Sequence, residues 1–211
     1  MPQAPAPIVD PDRDLVHAAR AGNYEAFEKL VSRYERPIYA LTMRILQRRE
    51  DAEDVVQETF LSVVEHLAEF REGSTFYTWL VRIATNHALK VLRKRKGLPL
   101  QPLDVQTRDE APLPHPDFIA RWRDEPSSIA QDREARRILD DAIASLDEKY
   151  RLIFLLRDVE GLSTEEAADA LGISIANAKV RLLRARLMLR ERLTREFGDQ
   201  AHRLIPDHKH D

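Results

Sequence analysis

Two stretches of this 211-residue chain have residue types and spacing suited to chemistry, and in both the chemistry is ionic association. The first, REDAEDVVQETFLSVVEHLAEFREGSTFYTWLVRIATNHALKVLRKRK (49–96), runs from acid, through an aromatic-framed loop, to a cationic end. The second, STEEAADALGISIANAKVRLLRAR (163–186), passes from acid to arginine. Bond-making chemistry has little support. There is no cysteine, so no disulfide, thiolate metal site or cysteine nucleophile is available. The histidines are scattered, and no carboxylate cluster, metal-ligand set or nucleophile paired with a base stands out. His202, His208 and His210 near the C-terminus lack acidic or cysteine partners at ligand spacing, and no cofactor is expected.

The elements that must position these stretches are helices. The charged fraction is 33% and the hydrophobic fraction 43%, with 12 prolines and 6 glycines; the excess of charge suits long charged helices. Apolar spacing predicts helices near 14–20, 24–47, 51–68 and 76–95, with Pro37 expected to kink or break the second. After residue 128, helices are predicted at 129–144, 147–159, 164–171 and 175 to about 197. Between Gly97 and Pro126 lie six prolines and no sustained periodicity, which describes an extended strap. The expected fold is therefore all-α: a disordered segment at 1–13, a helical domain at 14–96, a proline-rich extended linker at 97–127, a second helical domain at 128–197 and a flexible tail at 198–211. No secretory signal or membrane-length apolar run is seen, so a soluble protein without membrane insertion is expected, and a reducing cytoplasm fits.

The net charge of −3 argues weakly against a polyanionic partner, because the charge is segregated. Ser163 with Glu166 forms a capping-box pattern, Gly172 supplies a left-handed stop, and Ser174 can cap the next helix. That is a helix-turn-helix arrangement. On its second helix, Ala178, Leu182, Ala185 and Leu189 form a core stripe. The other side carries Ala176, Asn177, Val180, Leu183 and Arg184, with Lys179 and Arg181 flanking it, a surface suited to a DNA major groove. Arg184 is expected to pair with a guanine edge, and Lys179, Arg181 and Arg186 to hold phosphates.

In the first block, Ala52, Val56, Val63 and Leu67 form an inward stripe and leave Asp54, Gln57, Glu58 and Glu65 as an outward acidic ridge. The loop Arg71, Glu72, Gly73, Ser74, Thr75 is framed by Phe70, Phe76, Tyr77 and Trp79, and aromatics beside such a loop can stack on unpaired bases. Asn86 follows on the next helix, which ends in Lys90, Arg93, Lys94, Arg95 and Lys96, cations placed to meet the phosphates of a strand passing the loop. These features alone leave open an ordinary helix-turn-helix repressor or activator.

The stretches DAEDVVQETFLSVVEHL, FREGSTFYTWLVRIATNHAL and LDEKYRLIFLLRDVEGLSTEEAADALGISIANAKVRLLRARLMLRERL closely resemble the bacterial extracytoplasmic-function (ECF) sigma factors. The resemblance implies a sigma-2 domain that binds the clamp helices of RNA polymerase core enzyme and melts the minus-10 element. It also implies a sigma-4 domain that contacts the polymerase flap and reads the minus-35 element, and a stress-response regulator held by an anti-sigma factor. Carried over, Asp54, Gln57 and Glu58 fall at the core-polymerase contact. Arg71, Glu72, Gly73, Ser74, Thr75, Phe76, Trp79, Asn86, Lys90, Arg93 and Lys94 fall at the minus-10 element. Ser174, Ala176, Asn177, Lys179, Val180, Arg181, Leu183, Arg184 and Arg186 fall at the minus-35 element. Many relatives have threonine and valine where this chain has Asn177 and Ala178, so the resemblance does not carry over a promoter sequence. His87 and His115 receive no role.

Overall fold

The fold is seen in a computed structural model that describes residues 9–97 and 133–197. The first eight residues, the linker from residue 98 with His115, and the tail with its histidines lie outside the described residues. Every regular element among the described residues is helical, and the chain divides into two compact units, Met1–Gln101 and Pro102–Asp211.

In the first unit, helix α1 (Arg13–Arg20) leads into α2 (Tyr24–Leu46), whose first turn is capped by the Asn23 side chain accepting the Ala26 N–H at 3.1 Å. The expected break at Pro37 does not occur, and α2 runs through it as one helix. Proline removes one hydrogen bond from a helix interior, but here Leu30, Ile38, Leu41 and Ile45 are all fully buried on the packed face, and tertiary packing holds the helix across the gap. Helix α3 (Arg49–His66) ends in the 3-10 turn Leu67–Glu69, and α4 (Phe76–Arg95) starts from Thr75, whose hydroxyl accepts the Thr78 N–H at 3.2 Å. Helices α2, α3 and α4 pack against one another, and α1 packs on α2.

Two polar links lock this bundle. Arg95, expected to serve as a phosphate-facing cation, instead donates to the Leu46 carbonyl at 2.9 Å and pairs with Asp51, joining the end of α4 to the α2–α3 turn. His87 Nε2 lies 2.9 Å from the Ser62 hydroxyl, bridging α4 to α3.

In the second unit, α5 (Arg133–Ala144) and α6 (Glu148–Phe154) meet at a turn held by Arg151. This buried guanidinium donates to the carbonyls of Ala144 at 3.1 Å and Leu146 at 2.9 Å, satisfying groups that a helix end leaves unpaired. Helix α6 runs into the π-helical turn Leu155–Val159. Helix α7 (Thr164–Leu171) has the complete capping box, with Glu166 N–H to Ser163 Oγ at 3.1 Å and Ser163 N–H to Glu166 Oε2 at 2.7 Å. Gly172 ends it at φ 65°, a conformation glycine adopts without the Cβ clash, and buried Ala168 leaves room where α8 (Ile175–Phe197) packs against α7.

Partial burial, aided by the nearby Lys90 charge and partly opposed by Glu58, lowers the His87 pKa below 6.5. The unfolded chain therefore binds a proton that the folded chain resists, and stability falls as pH drops through about 6.5 toward the folded value. Replacing His87 with Asn should flatten this acid limb, as read by denaturant midpoints between pH 7 and pH 5.

Candidate nucleic-acid interfaces

On α3, a rotation of about 100° per residue places Asp54, Gln57, Glu58, Leu61, Val64 and Glu65 in one outward sector. All six are exposed, while Ala52, Val55, Val56, Thr59 and Val63 are buried behind them. The ridge is thus mixed rather than purely acidic. Leu61 and Val64 are 58% and 61% exposed, and the inward-stripe reading passed over them because they fall among the acids. Beside the ridge, an open groove of about 610 Å³ between α2 and α3 is lined by Tyr39, Arg49, Glu53, Val56 and Gln57 among others.

The loop before α4 is tied to α1. Glu72, at φ 55°, does not project outward: Arg13, His17 and Arg20 approach its carboxylate at 3.2, 2.9 and 3.7 Å. Phe76 departs from the base-stacking expectation. It is fully buried, with ring centroids 5.8 Å from Tyr34, 6.2 Å from Phe70 and 5.9 Å from Trp79, because the first inward position of α4 belongs to the core. Trp79 is half-buried, 5.1 Å from Phe70. Arg71 and Gly73 are exposed, and Ser74 and Thr75 are partly so.

Along α4, Trp79, Asn86, Lys90, Arg93 and Lys94 fall within a sector about 100° wide. Asn86, Lys90 and Lys94 are exposed and Arg93 partly so. From Trp79 to Lys94 this stripe runs about 22 Å, the length of a few nucleotides of extended strand. An aromatic start, an amide and then cations can stack, hydrogen-bond and neutralise a single strand in turn.

On α8, Ser174, Ala176, Lys179, Val180 and Leu183 are exposed and Asn177 is partly so; Ser174 Oγ accepts the Asn177 N–H at 3.2 Å. The three arginines are placed differently from the groove-facing expectation. Arg181 is 4% exposed: it sits only about 40° round the helix from buried Ala185, on the core side of α8. Arg184 is partly buried and donates to the Tyr150 hydroxyl at 3.3 Å. Arg186 makes a two-pronged pair with Asp158, at 2.7 and 2.6 Å, which raises its pKa, and the carboxylate comes from the π-helical turn. The outermost part of the surface is therefore Lys179 with two apolar side chains.

Residues 30–97 match the family Sigma-70 region 2, and residues 136–189 match Sigma-70, region 4. The chain is 34% identical over 182 residues to the ECF RNA polymerase sigma-E factor of Haemophilus influenzae, covering 86% of this chain and 95% of that one. The chain belongs to the ECF sigma factors. It is also 33% identical over 175 residues to the RNA polymerase sigma-H factor of Pseudomonas aeruginosa, covering 83% of this chain and 90% of that one. Among solved structures it resembles CnrH in complex with the cytosolic domain of CnrY, with TM-score 0.58 and 26% identity over 89% of this chain and 99% of that one. RpoE of Bartonella quintana, solved with the anti-sigma factor NepR, shares the fold at TM-score 0.53 and 23% identity over 80% of this chain and 96% of that one. This sigma factor is accordingly a promoter-specific transcription initiation factor with the all-α, two-domain fold.

The arginine placements make a paired expectation for the polymerase holoenzyme. Lys179→Ala should weaken minus-35 binding across sequences and reduce the salt slope by about one. Asp158→Asn, which frees Arg186 for a phosphate, should steepen that slope by a similar amount. Binding titrations from low to moderate salt read both.

Proposed function

We propose that this sigma factor acts without catalysis of its own, as a cytoplasmic specificity subunit that docks on RNA polymerase core enzyme through the α3 ridge. The observation that carries this reading is the two-sidedness of α3: its buried face is core, while Asp54, Gln57 and Glu58 stand outward around exposed Leu61 and Val64. Apolar side chains ringed by acid suit a partner surface that is apolar at its centre and basic at its rim. Among the described residues no helix is long and apolar enough to cross a membrane.

The loop from Arg71 to Thr75 and the α4 stripe through Trp79, Asn86, Lys90, Arg93 and Lys94 are assigned to the melted minus-10 strand. Ser174, Ala176, Asn177, Lys179, Val180 and Leu183 are assigned to the minus-35 groove, with Arg184 at its edge. Flipping a base costs a few kcal/mol, and this surface repays that cost only when polymerase holds the duplex beside it. The two DNA surfaces lie in separate units, so affinity depends on engaging both elements on one duplex, and element spacing should matter. An anti-sigma factor is a further expected partner. CnrH was solved with the cytosolic domain of CnrY and the Bartonella protein with an anti-sigma factor, and a mixed apolar and acidic ridge is a surface that such a regulator can cover.

Transcription assembled from purified core enzyme tests the whole reading. Initiation should be promoter-specific only when this protein is added. The double reversal Asp54→Lys with Glu58→Lys should weaken core binding at least about tenfold while circular dichroism stays unchanged; unaltered core affinity would remove α3 from the interface.

A further inference from the structure

The segment from Asp10 to Arg20 touches the stretch before α4 at its beginning, middle and end. At the beginning, Arg20 donates to the Ala68 carbonyl at 3.1 Å, in the 3-10 turn. In the middle, Arg13, His17 and Arg20 converge on the Glu72 carboxylate. At the end, one Asp10 oxygen accepts the Phe76 N–H at 2.7 Å, in the first turn of α4. The other Asp10 oxygen accepts the Asp12 N–H at 3.0 Å, and Asp12 is 1% exposed and held by Arg33 and Tyr34 of α2. Tyr34 in turn stacks on Tyr77 at 5.2 Å. The braced segment is therefore anchored to the core at its own base.

Glu72 needs such support. It has a positive φ of 55° without being glycine, a conformation that costs free energy and persists only when its surroundings over-determine it. A single exposed ion pair is a weak constraint, but two guanidiniums and the His17 ring on one carboxylate fix that side chain once for all three contacts. Gly73, immediately after it, has open space around its α-carbon and adds no restraint of its own.

We propose that residues 10–20 form a brace that sets the shape of the base-capturing loop, with Glu72 its central positioning residue rather than a DNA contact. The inference deepens the proposed minus-10 assignment and rests on it for its promoter readout. The brace leaves Arg71, Ser74 and Thr75 to face the strand while Glu72 is turned inward. It also makes minus-10 discrimination depend on α1, an element remote in sequence from the loop.

The test uses the full chain with core enzyme and a minus-10 element recovered by the holoenzyme from a randomised pool. Glu72→Gln and the double variant Arg13→Ala with Arg20→Ala should each flatten discrimination among bases at the flipped position by about threefold or more. Combining them should cost no more than the arginine double variant alone, because that variant already removes both arginine contacts to Glu72. Core affinity and minus-35 binding should not change, and Glu72→Asp should restore part of the loss. Additive losses would show that the α1 cations act directly on phosphates, and a harmless Glu72→Gln would show that the loop holds its shape unaided; either overturns the brace. Hydrogen exchange on the free chain separates this from the minus-10 assignment. Faster exchange at residues 73–76 in Glu72→Gln supports the brace even where Arg71→Ala and Ser74→Ala leave minus-10 discrimination intact, a result that rejects base capture alone. Unchanged exchange rejects the brace.

Discussion

Burial of the inner face of α4 against α2 and α3 is the interaction on which the first unit depends. Phe76, Leu80, Val81, Ala84 and Ala88 are fully enclosed, and they face the equally enclosed Leu30, Ile38, Leu41 and Ile45 of α2. Each of the larger of these side chains, the alanines apart, contributes roughly 1.5–3 kcal/mol by leaving water, so the rotation of α4 about its own axis is fixed by its apolar side. Once it is fixed, the outer side has no freedom left: Asn86, Lys90 and Lys94 must point to solvent because their neighbours point in. The same logic sets the α3 ridge. The surfaces proposed for function are the backs of helices whose fronts make the core.

That coupling explains which parts could be read from the sequence. The 3.6-residue period gave each described helix to within a few residues, and the α7 start and stop were visible in Ser163, Glu166 and Gly172 because caps are local chemistry. Arg181 was misplaced for a geometric reason. Its charge suggested solvent, but its angular position beside Ala185 put it inside, and angle outweighs polarity when a helix is packed on both flanks. Phe76 reads from the sequence as a stacking aromatic beside the loop, but its place as the first inward residue of α4 puts it in the core. The brace was illegible altogether, since contacts between residues 10–20 and 67–76 follow from the packing of α1 on α2, which no local pattern encodes.

The arginines of the second unit bear on why this sigma factor needs a larger machine. Read along the sequence, residues 179–186 carry four cations, enough to suggest substantial affinity for DNA on their own. In the fold, Arg181 is enclosed, Arg184 meets Tyr150 and Arg186 is neutralised by Asp158, so the outermost part of the exposed side of α8 is Lys179 beside Val180 and Leu183. Each phosphate contact contributes separately to the salt-dependent part of binding, and burial of Arg181 together with the Asp158 pairing of Arg186 removes two of the four cations from it. What remains is Lys179 and Arg184 beside apolar contact and shape, which discriminate more than they hold. Selectivity without retention suits a subunit whose hold on DNA is supplied by the polymerase and by engagement of a second promoter element.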